Sequence, residues 1–209
     1  NVAAIQAPPD GPNNPMGEAK GILPGRVVWV WNPRATDENC TNKLNDPVRK
    51  EDGYFLPKNN NQQVIDSMMR QSLILLTGKE SVYQSWDTIF RYFNIQHGKG
   101  DNPYVSGEYI FIKINQGGAG WLTNLSTLER VKTGWQADYY GMSESIPQTI
   151  LSLLKTLIDD YGVEQQYILI GDPIAHIYQE TYTYLHSVYP DINYMDKADY
   201  QSLGRIELH

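Results

Sequence analysis

The stretch SIPQTILSLLKTLIDDYGVEQQYILIGDP, residues 145–173, decides the fold class. Its first half places Ile150, Leu151, Leu153, Leu154, Leu157, Ile158 and Tyr161 at helical spacing. Ser145 reads as the N-cap, with Gln148 three residues on to complete a capping box and Pro147 in the first turn. Gly162 ends the helix. The second half is a short apolar run, Tyr167-Ile168-Leu169-Ile170, closed by Gly171-Asp172-Pro173; that is the pattern of a buried strand.

The same grammar extends in both directions. Upstream, Tyr109-Ile110-Phe111-Ile112-Lys113-Ile114-Asn115 is a near-continuous apolar run, as expected of a strand covered on both faces. Downstream, a helix is predicted over 175–189, ending before Pro190, followed by a short strand at Ile192-Asn193-Tyr194-Met195. Strand, helix, strand, helix, strand is the signature of a parallel sheet with right-handed crossovers. The expected fold class is therefore α/β: a three-layer sandwich around a mostly parallel sheet, Rossmann-like but without a dinucleotide fingerprint. Gly117-Gly118-Ala119-Gly120 lacks the spacing that fingerprint needs.

Before this unit lie two helices, predicted over 62–76 and 81–94 from the apolar faces of Val64, Ile65, Met68, Met69, Leu73 and Leu76, and of Trp86, Ile89, Phe90 and Phe93. Earlier still, Arg26-Val27-Val28-Trp29-Val30-Trp31 reads as the first strand, ended by Asn32-Pro33. Residues 1–24, with five Pro and three Gly, read as an extended N-terminal arm; 25–209 reads as a single α/β domain. Arg34 to Asn61 is a long polar connection, and 116–141 a glycine-punctuated insertion.

A formal net charge of −7 argues against a nucleic-acid partner and against an anionic membrane surface. No apolar run reaches the roughly 18 residues of a membrane span. Cys40 is the one cysteine, so an intrachain disulfide and a cysteine-built metal or iron–sulfur site are both excluded. The start at Asn1 rather than Met fits a processed N-terminus, which implies export if a signal peptide was removed and a cytoplasmic location otherwise. Fifteen Tyr and five Trp against four Phe favour wet, polar-ligand surfaces, a small molecule or carbohydrate before a polymer of base pairs.

Gly25-Arg26-Val27-Val28-Trp29-Val30, His97-Gly98-Lys99-Gly100-Asp101, Ile112-Lys113-Ile114-Asn115, Ser145-Ile146-Pro147-Gln148 and Ile170-Gly171-Asp172-Pro173 occur in this order. Over roughly residues 21–195 the chain resembles the bacterial and archaeal family catalogued as domain of unknown function 362. The resemblance implies a strand ending in Lys-x-Asn, a Ser-x-Pro helix start and a strand ending in Gly-Asp. Some relatives of that family carry ferredoxin-like cysteine clusters; with Cys40 alone, no iron–sulfur cluster is expected here. The resemblance also implies a longer chain, with a C-terminal portion beyond residue 209.

In open parallel sheets ligands bind beyond the carboxyl ends of the strands, at a switch in strand order. That rule nominates Lys113 and Asp172 as catalytic candidates, with His97 from the loop that also holds Asp101. Asn115, Glu144, Ser145 and Lys99 are the ligand-binding candidates. Lys113 and Asn115 point to one side of their strand and can hold a carboxylate or phosphate, or else simply meet solvent. Asp172 can bind a metal, accept a sugar hydroxyl, act as a base, or cap the helix after it. Ser145 is a cap or an anion contact, and Glu144 beside it repels anions. His176 and His186, ten positions apart, lack the spacing of a zinc-binding pair. These candidates leave two functions: an enzyme or enzyme-like domain that takes a small anionic or polyhydroxy ligand at the strand ends, or a non-catalytic binding or envelope protein. The latter would use the aromatic surface of Trp121, Trp135, Tyr139 and Tyr140.

Overall fold

The structure, a computed structural model, describes residues 17–120, 123–130, 139–140 and 144–207. Four strands form one all-parallel sheet: β1 (Ile110–Lys113), β2 (Ile168–Gly171), β3 (Asn193–Asp196) and β4 (Ile206–Glu207). Helices α1 (Gln62–Thr77) and α2 (Val82–Gln96) precede β1; α3 (Pro147–Ile158) links β1 to β2, and α4 (Gln179–His186) links β2 to β3. The α/β class and the parallel sheet agree with the sequence. The spatial order β1-β2-β3-β4 repeats the chain order, so the described sheet has no reversal of winding and no switch point.

Alternation along the strands explains where the core sits. Ile110 and Ile112 align with Ile168 and Ile170, and Ile170 with Tyr194, so these side chains share one face. On them pack Ile150, Leu151, Leu154 and Leu157 of α3, Leu185 of α4, and Trp86 and Phe90 of α2. Leu154, Leu157, Ile168 and Ile170 are buried to 2% exposure or less. Each such side chain contributes about 1.5–3 kcal/mol by leaving water. Of the two helix layers expected, the described residues supply the one on this face.

The opposite face differs from the sequence reading. Phe111 is 43% exposed and Lys113 is also exposed, so β1 is half covered rather than buried on both sides. Its apolar run reads as continuous because the exposed face carries a Phe, a choice that alternation alone does not flag.

Helix α1 runs parallel to α3. Gln62 Nε2 donates to Gln148 O, Lys155 Nζ meets Asp66 Oδ2 at 2.6 Å, and Arg70 Nε meets Asp160 Oδ2 at 2.6 Å. Gly171 is required where β2 meets β3: a Cβ there would lie 2.5 Å from the Met195 carbonyl oxygen, a backbone atom that cannot step aside.

Three local expectations are corrected. Arg26–Trp31 carries no regular secondary structure and pairs with no strand among the described residues. Ser145 is not the N-cap of α3. Ile146 holds that position without a side-chain bond, and the Ser145 hydroxyl instead accepts from the Asn115 amide at 3.0 Å. Gln148, the other half of the supposed box, donates to Phe55 O at 2.9 Å. The last helix spans only Gln179–His186, because Asp172 and Asp196 hold residues 174–177 in a turn through backbone amides.

The polar connection 34–61 is ordered by charge rather than by apolar burial. Asp52, fully buried, accepts from Thr41 N at 2.8 Å, Arg49 Nε at 2.8 Å and Asn59 Nδ2 at 2.9 Å. Arg49 also reaches Asp37 Oδ2 at 2.7 Å and Asn59 Oδ1 at 2.9 Å. Leu44, Phe55 and Tyr140 form a small apolar cluster beside this network.

Candidate functional site

A cleft of about 560 Å³ opens at the carboxyl end of β1, a volume that suits a small molecule. Ile112, Ile150, Leu153 and Met69 make its apolar floor; Thr36, Tyr54, Asn60, Lys113, Glu144 and Ser145 make its polar rim. Three residues nominated from sequence, Lys113, Glu144 and Ser145, therefore meet in one place. Asn115 joins them through its Oδ1, 3.5 Å from Lys113 Nζ, and through its backbone bonds to Ser145.

Asp172 does not line this cleft and does another job. It comes directly after Gly171, the register partner of Lys113, and so turns to the helix side while Lys113 stays on the open face. One oxygen accepts from Gln116 N at 2.9 Å and the other from Ile174 N at 3.2 Å, with the residue 1% exposed. The carboxylate braces the β1 and β2 exits together. The carboxyl facing the cleft is that of Glu144 instead.

His97 and Lys99 are not part of this site. The His97 ring stacks on Phe93 with centroids 4.0 Å apart, and its Nδ1 lies 2.8 Å from Phe93 O. Lys99 lines a separate groove with Phe90, Phe93, Tyr109 and Ile110, at the amino end of β1. Both residues precede β1 in sequence and enter the sheet at its amino end, a strand length away from the carboxyl end where Lys113 and Asn115 emerge.

Behind the rim lies a charged cluster with no counterpart among the residues nominated from sequence. Arg130, 7% exposed, stacks its guanidinium 3.7 Å from the centroid of Tyr178 and 4.3 Å from that of Phe55. Its Nη1 lies 3.3 Å from Glu144 Oε2 and its Nε 2.7 Å from Glu180 Oε1. Glu144 also accepts from the Gly118 amide. A Cβ at position 118 would come within 2.5 Å of Glu144 Oε1 and 2.9 Å of the Tyr178 hydroxyl, so glycine is what lets both approach. Burial raises the Glu144 carboxyl above its ordinary value, and Arg130 and the Gly118 amide only partly offset it. Burial raises Glu180 in the same way. A carboxyl raised in this way is better suited to proton transfer than an exposed one.

Asn60 lines the cleft but turns its amide inward. It is 8% exposed, and its Nδ2 donates to Tyr54 O at 2.6 Å and Leu56 O at 2.9 Å. Two carbonyl acceptors on the nitrogen fix the amide orientation, since a flipped amide would set oxygen against oxygen. Oδ1 is then left without a hydrogen-bond partner among the described residues. Sequence reasoning passed over it because Asn59-Asn60-Asn61 reads as loop composition. The available signal was the aromatic pair Tyr54-Phe55 in an otherwise polar stretch, which marks an anchored loop rather than a solvated one.

A second buried pair lies at the exits of β2 and β3. His176 Nδ1 is 2.6 Å from Asp196 Oδ1, and Asp196 Oδ2 accepts from Ile177 N at 3.0 Å. Both residues are at most 2% exposed, so this pair ties the turn after β2 to the end of β3. Among the described residues no group of three or more His, Cys, Asp or Glu is placed to hold a metal ion. No helix among them is long and apolar enough to cross a membrane. Of the four aromatics nominated for a binding surface, Trp121 and Trp135 lie outside the described residues. Tyr139 is exposed, and Tyr140 is packed against Phe55 with ring centroids 5.3 Å apart.

No family model, curated protein or solved structure matches this chain.

Proposed function

We propose that the cleft at the end of β1 binds a small polyhydroxy or amino compound carrying an anionic group, and that Glu144 serves it as proton donor or acceptor. The observation that carries this reading is the meeting of Lys113, Glu144 and Ser145 on the rim of one cleft of about 560 Å³. Lys113 Nζ, exposed on the same rim, supplies the positive charge for a carboxylate or phosphate. Asp172 serves the reading as a brace rather than as a ligand group. The enzyme-like class is favoured over an aromatic polymer surface because Tyr140 is spent on packing.

The test is a thermal-shift screen with sugars, sugar phosphates, amino sugars and hydroxy acids, followed by calorimetric titration of whatever stabilises the protein. Glu144→Gln and Lys113→Ala should each weaken binding by about 10-fold or more, the loss of one buried or charge-assisted hydrogen bond. A screen in which no polyhydroxy or amino compound shifts the melting temperature refutes the reading. Binding that survives both substitutions places it elsewhere.

A further inference from the structure

The geometry points to Arg26–Trp31 as a fifth strand that pairs in parallel with the free edge of β1. This inference does not rest on the ligand reading. The segment alternates in burial: Val27, Trp29 and Trp31 are 90%, 83% and 67% exposed, while Val28 and Val30 are half-buried. That period of two is the pattern of a strand with one covered face, yet the segment has no strand partner here. β1 is the matching half. It is an end strand of the sheet, and Ile114 N donates to Gly171 O, so by alternation the amides of Phe111 and Lys113 face outward with no strand beside them.

Direction and hand agree with this pairing. Gly21 N donates to the Tyr92 hydroxyl and Arg26 Nη1 to Leu75 O, which puts the start of the segment beside the end of α1. Asn61 N donates to Ala35 O and Thr36 bridges Asn60, which puts its far side at the start of α1. The segment therefore runs against α1. Because α1 is parallel to α3, and α3 runs against the strands it connects, Arg26–Trp31 runs with β1. Its six residues span roughly 20 Å, close to the roughly 24 Å length of α1. The crossover from this strand through α1 and α2 to β1 then lies on the same sheet face as α3 and has the same hand as the β1–α3–β2 unit, the hand that parallel crossovers adopt almost without exception.

Space for the strand is present. A cleft of about 460 Å³, lined by Phe90, Phe93, Ile110 and Phe111, lies along the open edge of β1. Tethering in one chain favours this partner over a second copy, because the effective concentration of a linked segment reaches the millimolar range.

Amide hydrogen exchange read by NMR tests the pairing without any ligand. In the whole chain, the Phe111 and Lys113 amides should exchange slower than free peptide by roughly 100-fold or more. The double variant Val28→Pro/Trp29→Pro, which removes a donor on each side of the segment, should lose that protection while Ile170 stays protected. Free-peptide exchange at Phe111 and Lys113 in the unmodified chain overturns the inference. So does protection that the double proline leaves intact, and so does protection that appears only at high protein concentration, which would assign the edge to a second copy.

Discussion

Replacing Asp52 by Asn tests whether the long polar connection is held by one buried carboxylate. Asp52 is fully buried and takes hydrogen bonds from Thr41 N, Arg49 Nε and Asn59 Nδ2, all between 2.8 and 2.9 Å, and Lys58 Nζ stands 3.3 Å away. Asn keeps the size but removes the charge and turns one oxygen into a donor that faces other donors. Hydrogen bonds to charged groups contribute about 1.5–3 kcal/mol each, and Arg49 retains Asp37, so the loss should be about 2–4 kcal/mol. Urea unfolding at pH 7 reads this as a lower midpoint with an unchanged slope. The pH dependence supplies the sharper check. The surrounding donors, Arg49 chief among them, outweigh burial and hold the Asp52 carboxyl well below its ordinary value of 3.8. A depressed carboxyl stabilises the fold fully above its unfolded value and ceases to do so as pH falls through the folded one. The gap between the native chain and Asp52→Asn should be constant from pH 8 to pH 5 and narrow below about pH 4. Equal midpoints at pH 7, or a gap that widens in acid, would show that the network is not what orders residues 34–61. Because Asn59 belongs to the network and Asn60 lines the cleft, the variant should also bind any cleft ligand more weakly.

Other substitutions probe the remaining links. Arg130→Met leaves Glu144 and Glu180 without their shared cation and should cost about 3–5 kcal/mol at pH 7. Both carboxyls sit above their ordinary values through burial, so their penalty sets in as pH rises past the unfolded value of 4.5 and is complete above the folded ones; the variant should recover stability as pH is lowered towards 4.5, and a loss independent of pH contradicts this. Gly171→Ala forces a Cβ against the Met195 carbonyl and should destabilise by about 1–3 kcal/mol in denaturant titration; a neutral result would mean that β2 and β3 separate freely. Leu154→Ala, at a fully buried position under the sheet, should cost about 2–5 kcal/mol, whereas the same change at the exposed Leu125 should leave the midpoint within about 0.5 kcal/mol.

Much of this molecule is legible in one dimension. The helical period of 147–158, the apolar run ending at Gly171-Asp172 and the repeat of that unit downstream specify parallel strands with helical crossovers, because a two-residue and a 3.6-residue period can each be satisfied by only one backbone. The same reading brought Lys113, Glu144 and Ser145 to the rim, since the carboxyl end of a parallel strand and the start of the next helix are neighbours in any such fold. What sequence could not weigh was competition for partners. Ser145 and Gln148 carry a capping signature, but Asn115 and Phe55, 30 and 93 residues away from them, claimed their side chains first. Asp172 looked like a reactive carboxylate until two backbone amides filled its oxygens. Arg130, the neighbours Tyr178 and Glu180, and Asn60 come from three separate segments, and only packing brings them together. Local periodicity thus sets the elements and their direction. Which polar group is satisfied, and by which partner, depends on distances across the fold that no spacing along the chain encodes.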